Sequence, residues 1–226
     1  MKRLKKICLA AAVAMALAAA VVPSASADAR VCSTSAGTHS PTTSCGAGHG
    51  WIYSGVFHST LRPSTSFTLR ETSASGGTVG TVTCTEATAS GTVDGTTGTG
   101  SVTAYTFVTS SCSDASCPSG VHVSTAGAPW ASTFTFSSGT AGQLHISGVE
   151  VDFACTAAFG ITITCKFSAA TSTLEVTGGE PALLKAQNIS MTKTSGPEST
   201  CGAKADSSGE YQVATPSSVF ITPTFF

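Results

Sequence analysis

The amino-acid sequence predicts an all-β protein, a disulfide-stapled antiparallel β-sandwich of about a dozen strands, and three observations lead there. Residues 28–226 contain 36 Thr, 31 Ser and 23 Gly, together 45% of that stretch, and branched Thr suits a pleated, half-buried surface. Apolar residues alternate with these small polar ones at a period of two, in short runs separated by turn residues. Eight cysteines, an even set, follow the N-terminal leader, as in an exported chain that carries a disulfide framework. A glycosylated stalk would share the Ser/Thr bias, but it would be Pro-rich and aperiodic. Only eight prolines follow the leader.

Residues 1–27 read as a secretory signal peptide. Met1 to Lys6 carries four positive charges, Ile7 to Val22 is uncharged, and Ala25-Ser26-Ala27 offers a small-x-small cleavage site. The apolar run is shorter than the ~20 residues of a spanning helix. Removing the leader, which carries Cys8, leaves seven Lys+Arg against twelve Asp+Glu, a net charge of −5. No basic field for nucleic acid remains.

Residues 28–48 form a polar, cysteine-containing segment, and residues 49–226 read as one β domain without a linker. Trp51, Tyr53, Val56 and Phe57 suggest a strand broken at Gly55. Phe67 and Leu69 alternate with Thr68 and Arg70. Gly76-Gly77, Gly91 and Asp94-Gly95 mark turns. Val102, Ala104, Thr106 and Val108 share one face of a strand, with Thr103, Tyr105 and Phe107 on the other. In Gln143 to Phe153 the apolar parity flips at Ser147-Gly148, which predicts a bulge at Gly148. Ile161, Ile163, Cys165 and Phe167 alternate cleanly, and a turn centred on Gly160 would place Cys155 opposite Cys165. Ala182 to Ala186 is the one helix-like run, but the alternation after it favours a strand. Tyr211, Val213, Val219 and Ile221 suggest a closing hairpin around Pro216. An outer-membrane barrel is the competing architecture, since the chain ends in Phe225-Phe226, but aromatic girdles are missing.

Separation along the chain offers Cys32 with Cys45, Cys112 with Cys117, Cys155 with Cys165, and Cys84 with Cys201. Cys165 with Cys201 stays open as an alternative, because directly opposed cysteines make strained bridges. All eight are assigned a structural role, and no metal or cofactor is expected.

Little in the chain resembles a catalytic motif. His39, His49, His58, His122 and His145 lack metal-ligand spacing. Glu150 and Asp152 leave one strand face about 6.6 Å apart, inside the ~6.5–9.5 Å window of an inverting glycosidase. Any carboxylates at i and i+2 meet that condition, and pairing with Lys166 on the next strand explains them more simply. No Gly-x-Ser-x-Gly elbow marks a nucleophile. Trp51, Tyr53 and Trp130 are candidate ligand contacts if at least one faces solvent beside a pocket, and core packing if not.

Several segments together resemble a known group: Thr83-Cys84-Thr85, Ser111-Cys112 to Cys117, Ala128-Pro129-Trp130, Ser147-Gly148-Val149-Glu150-Val151, Cys155 to Cys165, and Cys201 with Gly209-Glu210-Tyr211. They resemble secreted, Ser/Thr/Gly-rich all-β proteins of actinobacteria, over Phe67 to Phe226. The middle portion also resembles the exported activators of alkane oxidation. The resemblance implies an extracellular or envelope-associated β protein and supplies no catalytic residues.

The expectation is therefore a secreted, non-enzymatic structural or interaction protein whose partner lies outside the cell or in its envelope. The alternatives are a binding module for a small apolar ligand or a carbohydrate, and a hydrolase using Glu150 and Asp152.

Overall fold

The computed structural model describes residues 29–35, 39–46, 48–157 and 160–224. The expected leader, with Cys8, and the terminal Phe225-Phe226 lie outside the described residues. In chain order the strands are β1 (Ala29–Ser33), β2 (His39–Ser44), β3 (Trp51–Tyr53), β4 (Gly55–Leu61), β5 (Phe67–Thr72), β6 (Thr78–Cys84), β7 (Ala87–Asp94) and β8 (Thr99–Phe107). They continue with β9 (Cys112–Ser113), β10 (Val121–Ala126), β11 (Trp130–Ser138), β12 (Ala141–Thr156), β13 (Thr162–Thr177), β14 (Leu183–Ser195), β15 (Lys204–Thr215) and β16 (Phe220–Pro223). No α-helix occurs among the described residues, and the helix-like Leu183–Ala186 run is the start of β14.

The all-β class stands, but the architecture is a closed barrel with extra strands and not clearly a sandwich. Eight strands, β14-β13-β12-β11-β8-β7-β4-β15, pair in sequence, and β15 returns to β14 to close the ring. The reason lies in β15, which pairs with β14 along one edge and with both β4 and β5 along the other. A strand paired on both sides has no free edge, and closure removes the edges that a sandwich keeps.

Four long strands, β12 to β15, run beyond this ring and build a second half of the molecule. There β10 adds to the end of β12, while β5, β6 and β9 add to the beginning of β15. The two halves meet at a waist where the inward face changes parity. In β12 the inward set passes from Leu144 and Ile146 to Val149, Val151 and Phe153. In β13 it passes from Cys165, Phe167 and Ala169 to Ser172, Leu174 and Val176. In β14 it passes from Leu184 and Ala186 to Ile189 and Met191.

Gly148, where the bulge was expected, has the left-handed φ of 71°. Because β13 changes face at the same level, Ser147↔Thr171 and Val149↔Ala169 keep one register across it. The shift in pairing falls instead between β14 and β15, at Asn188 with φ 49°.

A small sheet, β16-β1-β3-β2, packs over one end of the barrel. Ile221 sits against Gly142 of β12, and the Val31 amide donates to the Gly95 carbonyl. The expected hairpin around Pro216 therefore does not form, because β16 leaves β15 and pairs with β1. Two further expectations change. Gly91 lies inside β7, not at a turn. In β8 the inward set is Val102 followed by Tyr105 and Phe107, so Ala104 is exposed.

The barrel wall has hydroxyls outside and hydrocarbon inside. On β13, Thr162, Thr164, Lys166, Thr171, Thr173, Glu175 and Thr177 all face outward, the reverse of the apolar outer band of a membrane barrel. Among the described residues no helix is long and apolar enough to cross a membrane.

All eight expected cysteines are bridged: Cys32–Cys45, Cys84–Cys112, Cys117–Cys155 and Cys165–Cys201. Two of these, Cys32–Cys45 and the alternative Cys165–Cys201, were anticipated. Cys112–Cys117, Cys155–Cys165 and Cys84–Cys201 are corrected by register. Cys84 lies directly opposite Cys112 across β6 and β9. Cys155 pairs in register with Ile163, and Cys165 with Phe153, so those two cysteines share a face but stand diagonally.

Candidate functional site

Closing eight strands into a ring encloses a lumen, and side-chain parity decides what faces it. Here it is a cavity of about 90 Å³ to which every one of the eight barrel strands contributes a residue. Its hydrocarbon wall includes Phe57 of β4, Val102 of β8, Trp130 of β11, Leu144 and Ile146 of β12, and Leu174 of β13. Met191 marks the waist side. A smaller void of about 20 Å³, bounded by Val31, Tyr53 and Val219, adjoins it and shares Phe57, Leu144 and Leu184 with it.

Apart from the Trp130 indole N–H, the polar side-chain groups in this lumen are hydroxyls: Ser59, Ser172, Ser207, Tyr105 and Tyr211. The two tyrosines hydrogen-bond each other, hydroxyl to hydroxyl. Burial raises both phenols above their ordinary value, so they stay neutral. Ser59 is 1% exposed, and its Oγ has no hydrogen-bond partner among the described residues. No lining residue carries a charge.

At the waist the wall is thin. Beside Gln187 and Asn188, where β14 bulges away from β15, a surface depression of about 440 Å³ shares Ala186 with the lumen. The Asn188 amide there donates to the Ser208 hydroxyl at 3.0 Å in place of a ladder bond.

The structure separates the three aromatic candidates. Trp130 lines the lumen, is 4% exposed, and donates from Nε1 to the Ala126 carbonyl at 3.1 Å. Tyr53 is buried and borders the smaller void, with its hydroxyl donating to the Val56 carbonyl at 2.5 Å. Burial raises its phenol as well. Trp51 is 44% exposed and lies on neither cavity. No shared surface platform is built from them; the pocket is internal. Sequence reasoning missed Tyr105, Tyr211 and Ser59, because their convergence depends on which strands close the ring. The inward parity of Phe57, Ser59 and Leu61 was the one available signal.

The carboxylates of the hydrolase alternative stand on the outer face of β12. Asp152 forms an ion pair with Lys166 at 2.8 Å, as the pairing of neighbouring strands suggested, and Glu150 is exposed. His145 is held between the Thr135 and Thr173 hydroxyls at 3.2 and 3.0 Å. Among the described residues no three His, Cys, Asp or Glu side chains come together as a metal site.

The second half of the molecule holds a different cavity, about 160 Å³, among Glu71, Asp114, Phe153, Ile163 and the three bridged cysteines Cys117, Cys155 and Cys165. Glu71 is 2% exposed and accepts a hydrogen bond from the Gly202 amide at 2.8 Å. Burial raises its carboxyl above the usual value; the Gly202 bond opposes this, nearby Asp114 adds to it, and Lys193 opposes it.

The fold and lumen define a class, the closed eight-stranded barrel with an apolar, charge-free interior. No family model matches the sequence, and no curated protein and no solved structure is similar to it.

Proposed function

We propose that the protein is an exported, non-enzymatic binding protein that takes a small, neutral, apolar molecule into the lumen of its barrel. The observation that carries this reading is the cavity lined from all eight strands, uncharged throughout, with hydroxyls as its polar groups apart from the Trp130 N–H, which the Ala126 carbonyl takes up. Small closed barrels hold one small ligand in this position. An ionised ligand is disfavoured, since a charge buried among hydrocarbon without a partner is costly. A carbohydrate is disfavoured too, for it would need many more hydrogen bonds than five hydroxyls provide. The lumen contains no His, Asp, Glu, Lys or Cys to act as base or nucleophile, which supports binding without chemistry.

A purely structural role accounts for the disulfides and the hydroxyl-coated exterior but not for this interior. Export is supported by the four disulfides together with the leader-like N-terminus. The size of the lumen is about three-fifths of the ~150 Å³ apolar cavity that takes benzene or xenon. The fitting ligand therefore has about four heavy atoms. Methyl-resolved NMR of the oxidised protein under xenon pressure tests the reading: resonances of Leu144, Ile146, Leu174 and Met191 shift saturably. If those methyls stay still while surface methyls respond equally, the lumen is closed to ligands and the reading is wrong.

A further inference from the structure

We propose that Ser59 is the group that recognises the ligand, and that the ligand is an apolar molecule of about four heavy atoms bearing a single neutral oxygen, such as a short ketone or alcohol. The inference rests on the binding function proposed above and goes beyond it to the ligand's chemistry. Ser59 pairs with Ala89 of β7 on one side and with Val213 of β15 on the other. Both neighbours are fixed by the barrel ladder, so the Ser59 side chain is committed to the inward face between Phe57 and Leu61. There it lines the cavity, almost wholly buried, with its hydroxyl unpaired among the described residues.

A buried hydroxyl without a partner is costly, and Ala or Val would fill an inward β position without that cost. Tyr105 and Tyr211 already satisfy each other, and of the three lumen serines Ser59 is the most deeply buried, 1% exposed against 4% for Ser172 and 8% for Ser207. The Ser59 hydroxyl is both donor and acceptor, so it accommodates a ligand carbonyl as acceptor or a ligand hydroxyl in either sense. With no charge in the lining, the oxygen it meets is that of a neutral group. The rest of the wall is uncharged and mostly hydrocarbon, which suits the ligand's remaining atoms.

Acetone and isobutene make the test, because they have the same shape and differ in C=O against C=CH2. Binding of each is measured by methyl NMR titration of the wild-type protein and of Ser59→Ala, which removes the hydroxyl while keeping a residue of strand-compatible size. The ratio of acetone affinity to isobutene affinity falls about tenfold in Ser59→Ala, the worth of one neutral hydrogen bond, while isobutene binding is retained. Ser59→Cys, which keeps the side chain's shape with a somewhat larger atom and weakens the hydrogen bond, moves the ratio in the same direction by less. An unchanged ratio with isobutene still bound overturns the role of Ser59 and leaves lumen binding intact. Failure of both probes to bind the folded wild-type protein overturns the binding function itself.

Discussion

Replacing Leu144 with Ala measures whether the lumen is a rigid cavity or a loosely filled interior. Leu144 is 1% exposed and borders both the cavity of about 90 Å³ and the adjoining void of about 20 Å³. Removing its side chain frees roughly 80 Å³ more and joins the two into a single space approaching ~190 Å³. Buried Leu→Ala changes cost ~2.7–5.0 kcal/mol, rising by ~24 cal/mol for each Å³ that fails to collapse. Two sides of Leu144 already face empty space, and the wall around it is held by ladder pairs Leu144↔Leu174 and Phe134↔Leu144. Collapse is thus limited, and the expected loss is about 4–5 kcal/mol, in the upper part of that range. For a chain of this length that lowers Tm by roughly 10–15 °C. The enlarged space exceeds the ~150 Å³ that takes benzene, so benzene restores part of the loss, about 2.7 kcal/mol at a hundred times its Kd. Urea and thermal unfolding of the oxidised protein, with and without benzene, give both numbers. A loss under ~2 kcal/mol, or no stabilisation by benzene, would refute the picture of a rigid lumen.

Three further outcomes follow from other parts of the molecule. The Glu71 carboxyl is raised by burial, so its contribution to stability is full below the unfolded-state value of ~4.5 and is lost as pH rises through the folded-state value. Glu71→Gln, which keeps an acceptor for the Gly202 amide, is accordingly more stable than wild type at neutral pH and flattens the pH dependence above ~4.5; parallel stability profiles from pH 4 to 8 would contradict this. Replacing Cys165 and Cys201 together, 36 residues apart, costs about 4 kcal/mol by the chain-entropy relation. Removing the Cys32–Cys45 bridge, 13 residues apart, costs about 3 kcal/mol, and urea unfolding ranks the two. Gly91→Ala sets a Cβ 2.2 Å from the Ser101 carbonyl oxygen and 2.4 Å from the Phe57 ring. It destabilises by about 3 kcal/mol, the upper end for overpacking, and a loss below ~1 kcal/mol would show that β7 can move away from β8.

The parts of the fold that were legible in the sequence are those set by neighbours along the chain. Alternation in β12 and β13, the Asp152–Lys166 pair and the parity flip at Gly148 all depend on residues within one hairpin. The closure of the ring depends on β15 meeting β4 across more than a hundred residues, and no local pattern records that choice. The same difference explains the cysteines. Cys32–Cys45 spans a short segment, whereas Cys84–Cys112 and Cys117–Cys155 follow from where β9 and β10 dock. The lumen stayed hidden for a further reason: a Ser such as Ser59 on a Thr/Ser-rich strand looks like surface until its strand acquires partners on both sides.

The distribution of disulfides follows from the difference between the two halves. In the upper half, the closed eight-stranded barrel, the ring is closed by hydrogen-bonded pairs all the way round, and none of the four bridges links two strands of that ring there. In the lower half, built by the parts of β12 to β15 beyond the ring, the run β10-β12-β13-β14-β15-β5-β6-β9 ends at β9 and β10, which do not pair with each other among the described residues. Three bridges lie in this half: Cys84–Cys112 ties β6 to β9, Cys117–Cys155 ties the β9–β10 connection to the end of β12, and Cys165–Cys201 ties β13 to the approach to β15. Covalent links are thus concentrated in the half whose hydrogen-bonded ring is incomplete. Reduction should then loosen the lower half first, including the cavity beside Glu71, while the lumen, walled by the hydrogen-bonded ring, keeps its shape. Amide exchange in the reduced protein distinguishes the halves: protection is lost in β5, β6 and β10 before β4, β7 and β11. Simultaneous loss in both sets would mean that the closed ring depends on the disulfides for its own stability.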